Sequence, residues 1–382
     1  MFTEKAITRR RMMKIAVAGT SSVAVGAVLQ RRGASLMADT GATTSKGTVS
    51  KGTVSQVVVK QKCPDAPLVR GPFPILSTPF TTSGDVDFEV LTRQARFLDW
   101  CESPGMIWPQ SGDSVSWLTR DEKLEGMEVL AKTSRDLKTT ALCLGVQGHD
   151  TDDMLVYARH AEKLSPAAII SRPPDTGKTQ DDLRQYWRAL AAVTRRPVII
   201  QTTGGTKFPP SVELLVELAE EFPNFGYVKE EAGSVIPRTR ALLASPSIRR
   251  VFSARGAFGW LYESRLGTEG LITERVAYAD ILAKIWKLMQ SGSDPAMLKD
   301  MYSKLMLMFN LKDVGLGNLR GYSLHLLKMR GVFDTTLSRY CLPKDSKQSS
   351  VRDLKLSKEA IDEIEWRFQS LKPYLKPGKF DG

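Results

Sequence analysis

One stretch of this chain carries the clearest sign of its fold: Phe225-Gly226-Tyr227-Val228-Lys229-Glu230-Glu231, a short apolar run that ends on an amine and two carboxylates. Its length and composition predict a buried strand. A lysine amine in tight apolar surroundings is partly neutral, so it can attack a carbonyl carbon and form a Schiff base. The alternative is a solvated lysine at a strand end.

The position of this run along the chain favours the catalytic interpretation. Similar runs recur at intervals of roughly thirty residues, separated by segments with helical apolar spacing. The predicted strands are 73–77, 106–109, 140–145, 167–171, 197–201, 226–229, 250–253 and 270–273. The predicted helices between them are 87–100, 119–134, 150–164, 179–193, 210–221 and 235–244. This pattern predicts an α/β fold, a (β/α)8 TIM barrel, whose catalytic groups lie at the carboxyl ends of the strands. Lys229 ends the sixth strand.

Four regions are predicted along the chain. They are a twin-arginine-type signal at 1–40, a flexible linker at 41–70, the barrel at 71–292 and a C-terminal helical appendix at 293–382. The appendix is expected to pad the barrel or to build an oligomer contact. A homo-oligomer is expected, with its number of subunits open.

The first region indicates export. The segment Thr8-Arg9-Arg10-Arg11-Met12-Met13-Lys14 resembles the twin-arginine motif, and it is followed by an apolar stretch at 15–29. This stretch is short for a membrane span, which needs about 20 residues. We expect a periplasmic or secreted protein that uses the twin-arginine export machinery. A non-cleaved membrane anchor is the alternative, because Leu36-Met37-Ala38 is a poor cleavage site.

The charge distribution argues against a nucleic-acid partner. The formal net charge is +12, but residues 1–62 hold eleven basic and two acidic residues, a net of +9, which leaves +3 for the rest. The cysteines and histidines show no metal-ligand spacing, so we expect no metal and no cofactor. The cysteines are Cys63, Cys101, Cys143 and Cys341. A disulfide formed after export remains an open alternative to ordinary core thiols.

Four segments resemble the dihydrodipicolinate synthase and N-acetylneuraminate lyase family of class I aldolase barrels. They are Pro74-Ile75-Leu76-Ser77-Thr78-Pro79-Phe80, Gln110-Ser111-Gly112-Asp113, Val228-Lys229-Glu230 and Leu266-Gly267-Thr268-Glu269-Gly270-Leu271-Ile272-Thr273. The resemblance implies that Lys229 forms an imine with a small-molecule 2-keto acid. It also implies that Gln110 and Ser111 bind the substrate carboxylate and that Ile272 contacts the substrate. A plain polar turn is the alternative for Gln110 and Ser111.

Departures from the family pattern bear on the reaction. The resemblance implies a tyrosine at the end of the fifth strand, but Gln201 occupies that place. A glutamine can bind a substrate but cannot transfer protons near neutral pH. Arg172 and Arg255 follow the fourth and seventh strands and could hold an acidic substrate, or they could be surface charges.

The acidic residues after the lysine are candidate general bases. Glu230 and Glu231 both invite that interpretation, and Glu230 matches a frequent family residue that is expected to be structural.

Two functions remain open at this stage. The first is an exported, Schiff-base-forming lyase or aldolase-like enzyme that acts on a pyruvate-type or sugar-derived 2-keto acid and diverges from dihydrodipicolinate synthase. The second is a degenerate barrel that binds a small acid without turnover.

Overall fold

The computed structural model describes residues 69–111, 113, 115–311, 315–339 and 350–382. The predicted signal at 1–40, most of the predicted linker at 41–70, Cys63 and Cys341 lie outside these residues. The boundaries of the four regions therefore stay predictions.

Parallel strands form the centre of the described part of the chain. They are β1 Gly71–Pro74, β2 Gly105–Trp108, β3 Ala141–Gly145, β4 Ala168–Ser171, β5 Val198–Gln201, β6 Tyr227–Lys229, β7 Arg250–Phe252 and β8 Gly270–Thr273. Strands β2 to β7 pair in chain order, and β1 pairs with β8. Bridges from Ile75 to Ile107 and from Ser253 to Leu271 join the two groups, so the ring closes. The predicted (β/α)8 barrel is confirmed.

A helix follows each strand. These helices are α1 Phe88–Trp100, α2 Arg120–Ser134, α3 Thr151–Leu164, α4 Gln180–Val193, α5 Val212–Glu221, α6 Val235–Leu243, α7 Trp260–Leu266 and α8 Ala279–Ser291. The sequence pattern did not indicate α7, because it has only seven residues and begins after Gly259 without a side-chain cap. Within the described ranges, no helix has the length and apolar content that a bilayer crossing needs.

The strands alternate between two buried faces. Inward-facing side chains form a separate apolar layer inside the ring: Phe73, Ile75, Ile107, Cys143, Ala168, Ile170, Ile199, Tyr227, Phe252 and Ile272. The outward-facing side chains pack under the helices. Because the side-chain period of a strand is two, Lys229 points to the same side as Tyr227 and continues the inner layer at the carboxyl end of β6.

The chain after the barrel packs against it. It contains α9 Pro295–Phe309, α10 Leu319–Met329 and α11 Lys358–Gln369, with a short antiparallel pair, β9 Leu337–Ser338 and β10 Arg352–Asp353. The two strands have two residues each, too short for a periodic signal in the sequence. Arg330 lies 2.8 Å from the Asp280 carboxylate in a buried ion pair that fixes the end of α10 to α8.

A glycine on α2 makes room for a large core side chain that reaches the mouth of the barrel. An ideal Cβ on Gly126 would lie 2.2 Å from Cη2 of Trp108, which is fully buried. The Trp108 indole donates a 3.0 Å hydrogen bond to the Thr78 hydroxyl. The packing of α2 therefore sets the position of a side chain in the loop after β1.

We expect Gly126→Ala to destabilise the protein by about 1–3 kcal/mol, the usual range for overpacking a core. The sign of the change in unfolding free energy is informative, because alanine is a better helix former than glycine and would stabilise a helix position where nothing blocks its side chain. Urea unfolding measures the difference. The matched control is Glu125→Ala on the adjacent exposed position, for which a change within about 0.5 kcal/mol is expected. Equal or greater stability of Gly126→Ala would contradict the prediction.

Candidate active site

Lys229 lies at the carboxyl end of β6 and is only 4% exposed. Its Nζ donates a 3.1 Å hydrogen bond to Oε1 of Gln201 and lies 3.4 Å from Oε1 of Glu231. The strand register explains the first contact, since Gln201 on β5 pairs directly with Lys229 on β6. A buried amine needs polar partners, and the described residues give it an amide and a carboxylate.

The Gln201 amide is held in one orientation. Its Nε2 donates to the carbonyl oxygen of Thr203 at 2.9 Å, which leaves Oε1 facing the lysine. The side chain is 2% exposed. Gln201 therefore acts as an acceptor for the Lys229 amine.

The two glutamates after Lys229 have different surroundings. Glu230 Oε1 accepts from the Thr202 hydroxyl at 3.0 Å and from the Ala232 N–H at 2.7 Å, and Oε2 pairs with Arg238 at 3.1 Å. These contacts agree with the structural role expected for Glu230. Glu231 instead directs its carboxylate to the Lys229 amine, and the Thr203 hydroxyl donates to the same oxygen.

Gln110 and Ser111 follow β2 at the same end of the barrel. Gln110 is fully buried, and its Oε1 accepts from the Ser111 N–H at 2.7 Å. The Gln110 Nε2 has no hydrogen-bond partner among the described residues. In this arrangement the Ser111 N–H, which the family resemblance assigns to the substrate carboxylate, is occupied by the Gln110 side chain.

Three of the predicted site residues come together around Gly204, which follows β5. An ideal Cβ on it would lie 3.6 Å from Oγ of Ser111, 3.5 Å from Nε2 of Gln201 and 3.1 Å from Cδ of Arg172. Loops after β2, β4 and β5 therefore meet at this glycine, beside the amide that contacts Lys229. Arg172 pairs with Asp175 at 2.7 Å.

Arg255 and Ile272 have other surroundings. The exposed Arg255 donates from Nε to the carbonyl oxygen of Glu231 at 2.9 Å and from Nη2 to that of Gly233 at 2.7 Å. Ile272 is 1% exposed and belongs to the inner apolar layer. A substrate contact by either residue stays a prediction; in the structure Arg255 fixes the backbone after β6.

Sequence reasoning missed a buried ion pair between a barrel loop and the appendix. Asp113 accepts at Oδ2 from the N–H and the hydroxyl of Thr78, and its Oδ1 lies 3.1 Å from Nη1 of Arg320 on α10. Arg320 also donates to the Ser77 hydroxyl at 3.3 Å. Asp113 ends the motif that begins at Gln110, but no local sequence signal links it to Arg320, which lies more than two hundred residues further along the chain.

Glu274, directly after β8, was also missed. Burial is the largest single influence on the pKa of this carboxyl and raises it, but the Arg275 guanidinium, 3.6 Å away, the Glu274 N–H, Lys229 and Arg320 together outweigh it. The pKa of Glu274 therefore lies below its ordinary 4.5. Glu274 lies two positions after the inward-facing Ile272, a strand-period signal that could have identified it.

Known proteins share sequence and fold with this chain. Residues 68–320 match the Dihydrodipicolinate synthetase family. The chain belongs to this family. A 4-hydroxy-tetrahydrodipicolinate synthase of Chlorobaculum parvum is 32% identical over 171 residues, 44% of this chain and 56% of that protein. The corresponding Rhizobium meliloti synthase is 26% identical over 170 residues, again 44% of this chain and 57% of that protein. The aligned part thus spans little more than half of these relatives.

The fold is shared with solved structures of other proteins. The crystal structure of N-acetylneuraminate lyase from Fusobacterium nucleatum has a TM-score of 0.67 and 19% identity, covering 81% of this chain and all of that one. The resemblance carried by the four sequence motifs is confirmed. The dihydrodipicolinate synthetase family consists of Schiff-base aldolases, and lyase is its reaction class at the coarse level.

We expect the contribution of Glu274 to stability to depend on pH. Because its folded pKa is lower than its unfolded value, the contribution is complete above about pH 4.5 and is lost as the pH falls through the folded pKa. The difference in unfolding free energy between the wild type and Glu274→Gln should therefore shrink in acid. Urea unfolding over a pH series checks this, with the exposed Glu89→Gln as control. A difference that stays constant or grows in acid would contradict the assignment.

Proposed function

We propose that this protein is a class I lyase that forms an imine between Lys229 and a 2-keto acid. The observation that supports the proposal most directly is the buried Lys229 amine, 3.1 Å from the Gln201 amide and 3.4 Å from the Glu231 carboxylate. The Ser111 hydroxyl and Arg172 lie close to the Gln201 amide around Gly204, and we place the substrate acid beside them.

The chemistry follows from the amine. Its nitrogen attacks the keto carbon, the keto oxygen leaves as water, and the product is an iminium ion. The positive nitrogen draws electrons from the neighbouring carbon, so that a carbon–carbon bond there can break or form, or a hydroxyl can be eliminated. Ser111 and Arg172 are the groups we assign to the substrate carboxylate, since a hydroxyl and a guanidinium both donate to oxygen.

Divergence from dihydrodipicolinate synthesis is part of the proposal. Gln201 stands where the family resemblance implies a proton-transferring tyrosine, and its amide is engaged by Lys229 and Thr203. Some family members use an arginine after the fifth strand to hold a second substrate carboxylate, and this chain has only Lys207 as an approximate counterpart. This difference argues against the synthesis of dihydrodipicolinate. We therefore propose a 2-keto acid substrate of pyruvate or sugar-derived type in a cleavage, condensation or dehydration reaction.

Two observations favour a second candidate, a barrel that binds a small acid without turnover. They are the glutamine at the tyrosine position and the hydrogen bond that occupies the Ser111 N–H. Such a protein would keep the pocket while lacking covalent chemistry at Lys229.

Borohydride trapping tests the first proposal. With pyruvate or a sugar-derived 2-keto acid present, reduction should attach the ligand to Lys229 irreversibly, as read by mass spectrometry of the digested protein. Lys229→Met should give no adduct, while Lys207→Met should still give one. Absence of an adduct at Lys229 across a broad keto-acid panel would contradict the proposal. Ligand-induced thermal stabilisation that persists in Lys229→Ala, with no product, would support the second candidate.

We also propose that the chain is exported through the twin-arginine route, on the sequence of residues 8–29. In a bacterial host with that machinery, the full chain should reach the periplasm, and Arg9→Lys with Arg10→Lys should keep it in the cytoplasm. Cell fractionation and immunoblotting measure the distribution. The matched control is Arg31→Lys with Arg32→Lys, a pair beyond the apolar stretch, which should leave export unchanged. Export of the first double variant at the wild-type level would refute the route.

A further inference from the structure

Imine formation at Lys229 needs a group that carries protons, and Gln201 cannot supply one. A proton must leave the amine before it attacks, and another must reach the keto oxygen before that oxygen departs as water. The Gln201 amide does not titrate in the relevant range. The proton carrier must therefore be a titratable side chain close to the Lys229 nitrogen.

Three carboxylates lie near this end of β6 and β8, and their partners differ. Glu230 is engaged by Thr202, Ala232 and Arg238. The Glu274 carboxylate lies 3.6 Å from the Arg275 guanidinium, and the cations around Glu274 hold its pKa below the ordinary value. Glu231 has an oxygen 3.4 Å from the Lys229 amine itself.

Glu231 is also fixed at three points. Its backbone N–H donates to the Thr202 hydroxyl at 2.9 Å, and its carbonyl oxygen accepts from Arg255 Nε at 2.9 Å. Its side-chain Oε1 accepts from the Thr203 hydroxyl and is the oxygen that faces the lysine. Loops after β5, β6 and β7 thus converge on one glutamate, which is the arrangement that a proton-transferring group requires.

The Lys229 and Glu231 side chains differ in their exposure to solvent. The Lys229 side chain is 5% exposed and that of Glu231 is 15% exposed. Glu231 is therefore the more exposed of the two groups, so its carboxylate can exchange a proton with water.

We propose that Glu231 is the proton carrier of this site, with Thr203 and Arg255 as positioning residues. This inference rests on the imine chemistry proposed above and names the group that replaces the tyrosine. Glu231 takes a proton from the Lys229 ammonium, and the free amine attacks the keto carbon. A second nitrogen proton passes to the former keto oxygen. Glu231 then returns its proton to that hydroxyl, the carbon–oxygen bond breaks, and water leaves behind an iminium that keeps one N–H. The carboxylate is regenerated.

The rate of imine trapping with pyruvate and borohydride on the full chain tests the proposal. Glu231→Gln keeps the shape of the side chain but cannot carry a proton, so its trapping rate should fall by about 10²–10⁴-fold. Glu89→Gln, on an exposed position of α1, should match the wild type. A loss of less than about tenfold in folded Glu231→Gln would falsify the assignment. If the wild type itself is not trapped, the imine proposal fails instead, so the two failures are distinguishable.

Three further variants separate proton transfer from a merely structural role. Added formate should restore trapping in Glu231→Ala, because a small carboxylate can occupy the vacated space; lack of recovery in a folded variant would count against Glu231.

Thr203→Val should slow trapping by at least about tenfold, and Thr203→Ser should recover it. Equal trapping rates for Thr203→Val and the wild type would contradict the positioning role of Thr203. If Glu231→Gln does not fold, the comparison of Thr203→Val with Thr203→Ser supplies the test.

Discussion

The site depends on one constraint: an amine buried at the end of a central strand must find polar partners inside the protein. Lys229 is held among apolar side chains of the inner layer below it and meets Gln201 and Glu231 beside it. Each partner is fixed in turn, Gln201 by the Thr203 carbonyl and Glu231 by the Thr203 hydroxyl. The loop after β5 therefore aligns both groups that contact the Lys229 amine.

A second buried network brings the C-terminal appendix to the same end of the barrel. Arg320 from α10 contacts Asp113 and Ser77, while Asp113 accepts from Thr78. A buried ion pair is costly to break from one side, because the remaining charge is left without a partner. The sequence predicted that the appendix pads the barrel or builds an oligomer contact. In the structure one of its side chains also fixes the loops after β1 and β2.

Membership of the dihydrodipicolinate synthetase family and the local geometry give complementary information. The family accounts for the barrel, and Lys229 ends its sixth strand. The structure gives the surroundings of this lysine: the Gln201 amide and the Glu231 carboxylate lie beside its amine, and Arg255 donates to the backbone of the loop after β6. A barrel can keep its scaffold while the side chains at its mouth change, because the mouth is built from separate loops.

The sequence by itself determined the strand and helix alternation, the closed parallel barrel and the place of Lys229 at a strand end. These features follow from local periodicity, which each segment carries within its own residues. It also indicated Gln201 and Ser111 by motif. Only the tertiary structure decided which charges face the amine. Glu230 and Glu231 are neighbours in sequence, yet one binds Arg238 and the other faces Lys229. The contacts of Arg255, Glu274 and Arg320 depend likewise on loops from distant segments, because packing and ion pairing across the barrel mouth set the directions of these side chains.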